Sequence, residues 1–479
     1  MTTAGAKSKD RAIRTETGRS IADNLSARNI RVAVVGNVDA GKSTLIGTLT
    51  TQIRDDGRGK ARSLIMRHAH ELETGRTSTV SSNLLGFKEN GDTIVCPGTA
   101  GTKKHRVKLE ELIGREADRV VTLTDLAGHE KYLKTTIYGV SKGFADYALV
   151  LVNSRQPPTH MTLHHLNLCS AFGIPVIVVL TKIDGCPKHV LKSTKEEVAA
   201  MLRSPDVSKR PYTIRSEHDI ETVTDKMGAV APVVGVSCVT GDGMDLLRRV
   251  LFSVPKRRRH HEKKISKPLE YLVEDIFNVP GTGLVVSGFV NAGRLALGEA
   301  VFAGPLDDGS FLKTTVKSAH LARTLVGEVV AGDDACLALS LGKEQRKKLR
   351  PGMVVLRDVV EPVRKFEAEI YVVKGEGTTI RENYTTLVHV LHVRQAARVT
   401  DIVEVVDYRH FPVSRFGGNL GDGKDVVRPG CKARVTFEFL HRPEHIREGM
   451  RVIFRDSHVR GIGVITEVHN GKKAPPVQN

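Results

Sequence analysis

Two textures of apolar residues divide this chain. In its first half the apolar runs are short and continuous, as in Arg31–Val35, Val120–Thr124, Pro175–Leu180 and Val233–Val236. Aliphatic and β-branched residues without polar alternation suit strands covered on both faces, the condition of a parallel sheet flanked by helices. The first run stops at Gly36 and a helical pattern opens at Ser43, so strand, glycine-bounded turn and helix follow closely. From Leu269 the pattern alternates: Leu269–Phe277 and Leu284–Val290 flank the turn Val279-Pro280-Gly281-Thr282-Gly283. Short alternating strands joined by glycine turns predict a small closed antiparallel barrel, with bends at Gly288 and Gly293 and a turn at Pro351-Gly352. A further set of strand-like runs spans Phe366–Val373, Leu387–Arg394, Arg398–Val406, Cys431–Phe439, Arg451–Phe454 and Gly461–Ile465.

The expected organisation follows from these textures. A basic amino-terminal arm covers 1–29, an α/β domain 30–255, a basic linker 256–265, two β domains 266–360 and 361–470, and a flexible tail 471–479. Within the α/β domain, residues 88–118 and 188–230 are expected as surface insertions. Arg415–Lys424, rich in glycine, reads as a flexible loop.

Chemistry sits at the ends of the continuous runs. Gly36-Asn37-Val38-Asp39-Ala40-Gly41-Lys42-Ser43, followed by Thr44, has the spacing of a phosphate-binding loop between strand and helix. The glycines let successive backbone N–H groups turn inward, and the helix N-terminus adds its partial positive charge. Lys42 is expected on the β- and γ-phosphates and Ser43 on magnesium. The second run delivers Asp125, expected to hold magnesium through water, then Gly128 toward the γ-phosphate and His129 where it could orient the attacking water. Between these two motifs, Glu73–Val80 is the candidate for a segment that orders around the γ-phosphate. Thr79 is the expected metal ligand there, with Thr77 and Ser78 as alternatives.

The third and fourth runs end in base-reading residues. Thr181-Lys182-Ile183-Asp184 places a carboxylate that can accept from guanine N1–H and its exocyclic amine together, a donor pair adenine lacks. The Lys182 stem can lie along the purine face. Thr181 stands where this motif usually has Asn, so the shorter side chain is expected to brace the phosphate loop less well. Ser237 and Cys238 follow the last run, where loop amides could donate to guanine O6. These segments together predict a GTPase using GTP/GDP and Mg. Asp184 argues against an ATP-dependent enzyme on the same loop.

With His129 following Asp125-Leu126-Ala127-Gly128, the motifs resemble the translational GTPases related to elongation factor Tu. Finer segments, Asp56–Arg62, Arg67–Thr79, Asp125–Thr136 and Thr181–Asp184, resemble the eukaryotic GTP-binding protein 1 and 2 family. In that family Ala127 and Thr181 are usual where elongation factors carry Pro and Asn. The match runs from about Ile30 to about Val468. The resemblance implies a P-loop GTPase domain followed by two antiparallel β-barrels, and a ribosome-associated translation factor with tRNA or another RNA as ligand. A GTP-switched adaptor for an RNA-decay or quality-control complex is the alternative.

Composition narrows the partners. The formal net charge is +18, which suits phosphate-rich surfaces and salt-sensitive binding to RNA. The basic run Lys256–Lys264 is expected as a solvated linker, with an RNA contact as the sharper reading. No run of ~20 apolar residues suggests a membrane span, and the start of the chain lacks the apolar core of a signal peptide. Six cysteines without a CxxC pair suggest neither zinc nor a disulfide scaffold. A cytoplasmic monomer is expected, and nothing points to a protease, an oxidoreductase or a transporter.

Overall fold

The continuous apolar runs become the strands of one sheet. The computed structural model describes residues 29–66, 81–96, 102–126, 145–205, 207–256, 262–279, 281–321, 324–372, 379–406, 426–455, 459–469 and 477–478, which fall into two compact units. The first holds β1 (Asn29–Gly36), α1 (Lys42–Thr51), α2 (Lys60–Ser63), β2 (Ser81–Phe87), α3 (Lys103–Glu116), β3 (Arg119–Asp125), β4 (Tyr147–Asn153), α4 (His160–Ala171), β5 (Val176–Thr181), α5 (Lys188–Arg203), β6 (Arg210–Thr213), α6 (Glu217–Thr224), β7 (Val230–Gly235) and α7 (Met244–Ser253). The strand order is β2-β3-β1-β4-β5-β7-β6. Only β2 runs antiparallel to its neighbour. Val32, Val34, Leu149, Leu151, Ile177 and Val179 are fully buried, which is why these strands lack polar alternation.

That order fixes where ligands can bind. β1 lies between β3 and β4, so the chain leaves it to one side and later returns on the other. Such a switch point opens a crevice at the carboxyl ends of the strands. Gly36, Asp125, Asn153, Thr181 and Gly235 end β1, β3, β4, β5 and β7 there. A side chain at Gly36 would meet the Leu151 carbonyl of β4 at 2.6 Å, so only glycine lets the strand turn off so close to its neighbour.

The segment expected as a second surface insertion is instead part of the sheet and core. β6 extends the sheet beside β7, and Val198, Leu202, Ile214, Ile220, Val223 and Met227 are all buried. Charged residues on the outer face of α5 mask an amphipathic pattern whose apolar side packs inward.

The second unit contains α8 (Glu262–Ile265) and two closed barrels of six strands. One is formed by β8 (Glu270–Val279), β9 (Gly283–Ala292), β11 (Ala300–Gly304), β12 (Phe311–Leu321), β15 (Asp334–Leu339) and β16 (Val354–Leu356), closed by pairing of β11 with β12. Short strands β10 (Arg294–Ala296) and β14 (Glu328–Val330) pair beside it, while β13 (Thr324–Val326) falls in the first unit. The ladder between β8 and β9 slips around Val273, opposite Gly288, the expected bend. The other barrel is β17 (Lys365–Val372), β22 (Lys432–Phe439), β20 (Val393–Val406), β19 (Thr385–Val390), β23 (Arg451–Arg455) and β24 (Val459–His469). Phe366, Phe437, Phe439 and Phe454 fill it, with neighbouring ring centroids 5.2–6.0 Å apart.

Two sequence expectations change here. The run Leu387–Arg394 is not one strand: Leu391, at φ 49, turns the chain between β19 and β20. Apolar residues inside a tight hairpin concealed the turn, which lacks glycine, asparagine or proline. The tail, expected to be flexible, ends in β25 (Val477–Gln478), paired in parallel with β12.

Polar contacts join the barrels. Glu270, which starts β8, is buried and accepts from Arg447 Nη2 at 2.6 Å and Asn291 Nδ2 at 2.6 Å, with His445 Nε2 at 3.2 Å. Glu444, also buried, meets Arg350 Nη2 at 3.1 Å and Gln395 Nε2 at 3.1 Å. Burial alone would raise Glu270; hydrogen bonding and charge from His445, with Arg447 and Asn291, reverse that and hold it at about 2.

Candidate guanine-nucleotide site

The phosphate-loop motif forms the expected turn between β1 and α1. Asp39 takes φ 59 and Gly41, the N-cap of α1, takes φ 86. Asn37 ties the loop down: its Oδ1 accepts from Val38 N at 2.7 Å, and its Nδ2 donates to Thr159 Oγ1 at 3.2 Å. Val38 and Ala40 occupy the turn, and the Ala40 N–H closes it onto Asn37 O at 3.3 Å. Lys42 Nζ reaches the carbonyls of Gly36 and Asn37 at 3.0 and 2.9 Å. Burial lowers the Lys42 pKa, and Asp125 and Asp39 counter it. An ammonium so placed gains by meeting a phosphate.

Ser43 and Asp125 come together across the sheet. β1 and β3 pair with Val34 opposite Asp125, and Ser43 Oγ donates to Asp125 Oδ2 at 2.7 Å. Both are buried. A hydroxyl and a carboxylate at hydrogen-bonding distance, beside a phosphate loop, are hard oxygen donors that fit magnesium. Thr44 follows within α1. β2 begins at Ser81, directly opposite Asp125, so the segment ending at Val80 leads into the strand beside this carboxylate. Thr77, Ser78, Thr79, Gly128 and His129 lie outside the described residues.

The base-reading residues sit at the ends of β5 and β7. Thr181 Oγ1 donates to Ala40 O at 2.8 Å and lies 3.3 Å from Val152 O. The shorter side chain still reaches the phosphate loop, because the end of β5 lies near enough for a hydroxyl to span the gap. Lys182 adopts φ 59 and leads into a single 3₁₀ turn over Ile183–Gly185 that presents Asp184. Ser237 is fully buried, and its Oγ accepts from the N–H groups of Val239 and Thr240 at 3.2 and 3.1 Å. That shapes the loop carrying Cys238, whose thiol burial pushes up to about 11, so it stays a neutral wall group.

Other residues of the site carried no motif. Asp55 N donates to Cys238 O at 2.9 Å, and Asp55 Oδ1 accepts from Ala61 N at 2.9 Å at the start of α2. His165 of α4 is buried and held neutral, at about 3, by burial first and then by Lys42 and His164. Arg155 pairs with Asp184, Nη2 to Oδ2 at 3.2 Å. Its one sequence signal was a charge just past the carboxyl end of β4.

Known proteins resemble this chain in sequence and in fold. The family model described as "Elongation factor Tu GTP binding domain" matches residues 27–257. GTP-binding protein 1 of Xenopus laevis is 36% identical over 469 residues, covering 97% of this chain and 66% of the relative. GTP-binding protein 2 of Homo sapiens is 36% identical over 457 residues, covering 94% of this chain and 71% of the relative. The chain thus spans about two thirds of the length of these relatives. Among solved structures, a bacterial selenocysteine-specific elongation factor EF-Sec aligns with TM-score 0.60 at 21% identity, over 91% of this chain and 58% of that one. Elongation factor SelB from Methanococcus maripaludis, in complex with the GTP analogue GppNHp, aligns with TM-score 0.61 at 18% identity, over 93% and 80%. These two share the fold. By its sequence relatives, the chain belongs to the GTP-binding protein 1 and 2 family, of the elongation-factor-Tu type.

Proposed function

We propose that this chain is a GTP-hydrolysing translation factor of elongation-factor type, acting in the cytoplasm on the ribosome with tRNA or another RNA as ligand. The observation that carries the nucleotide reading is the direct bond from Thr181 to Ala40, which ties the base-reading turn to the phosphate loop. Residues from four strand ends thereby face one elongated ligand.

On this reading Lys42 leaves its two carbonyls for the β- and γ-phosphates, and the loop amides from Val38 to Ser43 donate to phosphate oxygens. Ser43 and Asp125 would hold magnesium, with Thr79 joining from the segment that leads into β2. When bound, the metal would neutralise phosphate charge. Asp184 reads guanine, Lys182 lies along the base, and Ser237 and Cys238 shape the loop against O6. Gly128 holds the γ-phosphate, and His129 orients water for in-line attack. Phosphoryl transfer depends mostly on positioning and charge, so a ribosome that fixes His129 would set the rate. The surplus of positive charge favours the RNA partner.

Base selectivity tests the site independently of the ribosome. Competition of GTP and ATP for the protein should favour GTP by orders of magnitude, and Asp184→Asn should transfer preference to xanthosine nucleotides. Unaltered guanine selectivity in D184N would refute the assignment of Asp184.

A further inference from the structure

Asp184 has a rival for guanine within its own chain. A guanidinium offers planar N–H donors to a carboxylate, as do N1–H and the amino group of guanine. Arg155 presents such a donor to Asp184 Oδ2 at 3.2 Å. Its position follows from the two strand ends. Asn153 Oδ1 accepts from the Arg155 N–H at 3.1 Å, turning the chain just past β4. Cys186 Sγ donates to Ser154 O at 2.9 Å, fastening the turn after β5 to the turn after β4. The guanidinium then lies against Gly185, where a Cβ would meet Arg155 Nη2 at 2.1 Å. A residue with any side chain at 185 would push it away.

We propose that Arg155 is an internal competitor for the base-reading carboxylate, a residue that lowers guanine-nucleotide affinity by slowing association. The inference rests on Asp184 reading the base. Guanine takes both Asp184 oxygens only after the guanidinium has moved off Oδ2. Binding therefore draws on the fraction of molecules in which it has moved, and apparent affinity falls by that fraction. The Arg155 side chain is 47% exposed and that of Asp184 19%. Ion pairs with such exposure are weak, so the competition is worth roughly a two- to fivefold change in affinity. That is enough to tune affinity without abolishing binding. The pair is also screened by salt.

Stopped-flow binding of N-methylanthraniloyl GDP and GTP to the full chain tests this. Arg155→Ala should tighten both nucleotides roughly two- to fivefold, mostly through faster association, and the difference from wild type should shrink at ~1 M KCl. Gly185→Ala, which displaces the guanidinium without removing it, should shift affinity in the same direction. In D184N, where an amide replaces the charge, R155A should leave the affinity for xanthosine diphosphate unchanged. Unchanged or weaker GDP binding in R155A would overturn the inference. If D184N itself fails to exchange guanine for xanthine, the base-reading assignment falls instead, so the two failures are distinguishable.

Discussion

At the residue scale, one substitution in a motif changed its chemistry less than its sequence implied. Thr181 occupies a place where an amide is usual, and a hydroxyl loses reach and one donor. In the fold it is 3% exposed and bonds Ala40 O at 2.8 Å. Thr181→Ala removes the donor and leaves a buried carbonyl of the phosphate loop without it. A lost buried bond of this kind costs about 1 kcal/mol, or roughly a fivefold weaker Kd for GTP and GDP alike. Equilibrium titration of both nucleotides checks this, and an unchanged Kd would show that the bridge does not support the loop. The residues proposed to bind phosphate and base were legible because each lies at a fixed offset from a buried strand end. Arg155, Asp55 and His165 were not, since an arginine, an aspartate or a histidine in a loop or helix carries no signal until the fold shows what it faces.

At the element scale, legibility followed periodicity. The continuous apolar runs of β1, β3, β5 and β7 were read as strands, as were the β8 and β9 hairpin and its bend at Gly288, but the equally apolar β4 was not singled out. β6 escaped because four residues at a sheet edge carry too little pattern. The turn between β19 and β20 escaped because Leu391 adopts a left-handed conformation that leucine rarely takes.

The contact between barrels was equally hidden, since it joins the first residue of β8 to the connection between β22 and β23. It has a pH signature. Glu270 is held at about 2 when folded, against an ordinary value of 4.5. The carboxylate therefore contributes stability that is fully present above the unfolded value and is lost as pH falls from about 4.5 toward about 2. The contribution is on the order of 3 kcal/mol. Glu270→Gln should be less stable near neutral pH, yet lose less stability on acidification through that window. Urea unfolding of both proteins at several pH values measures this, and parallel acid curves would show that Glu270 does not titrate as inferred.

At the scale of the whole molecule, the chain comprises an α/β unit and a unit of two barrels joined by buried carboxylates. Under the proposed RNA partnership, the whole chain's formal charge of +18 predicts binding to polyanions that weakens steeply with salt. Sequence supplied the order of domains through motif and alternation, and the family resemblance supplied the second barrel's closure. Neither indicated whether the barrels carry a ligand. We propose that this chain hydrolyses GTP under ribosomal control, with His129 as the group that positions water. The most direct test is single-turnover GTP hydrolysis by the purified chain, with and without vacant ribosomes, in wild type and His129→Ala. Stimulation of several orders of magnitude, lost in H129A while GTP still binds, is the predicted result. Equal hydrolysis with and without ribosomes, with GTP bound tightly, would contradict the account and favour a nucleotide-gated adaptor.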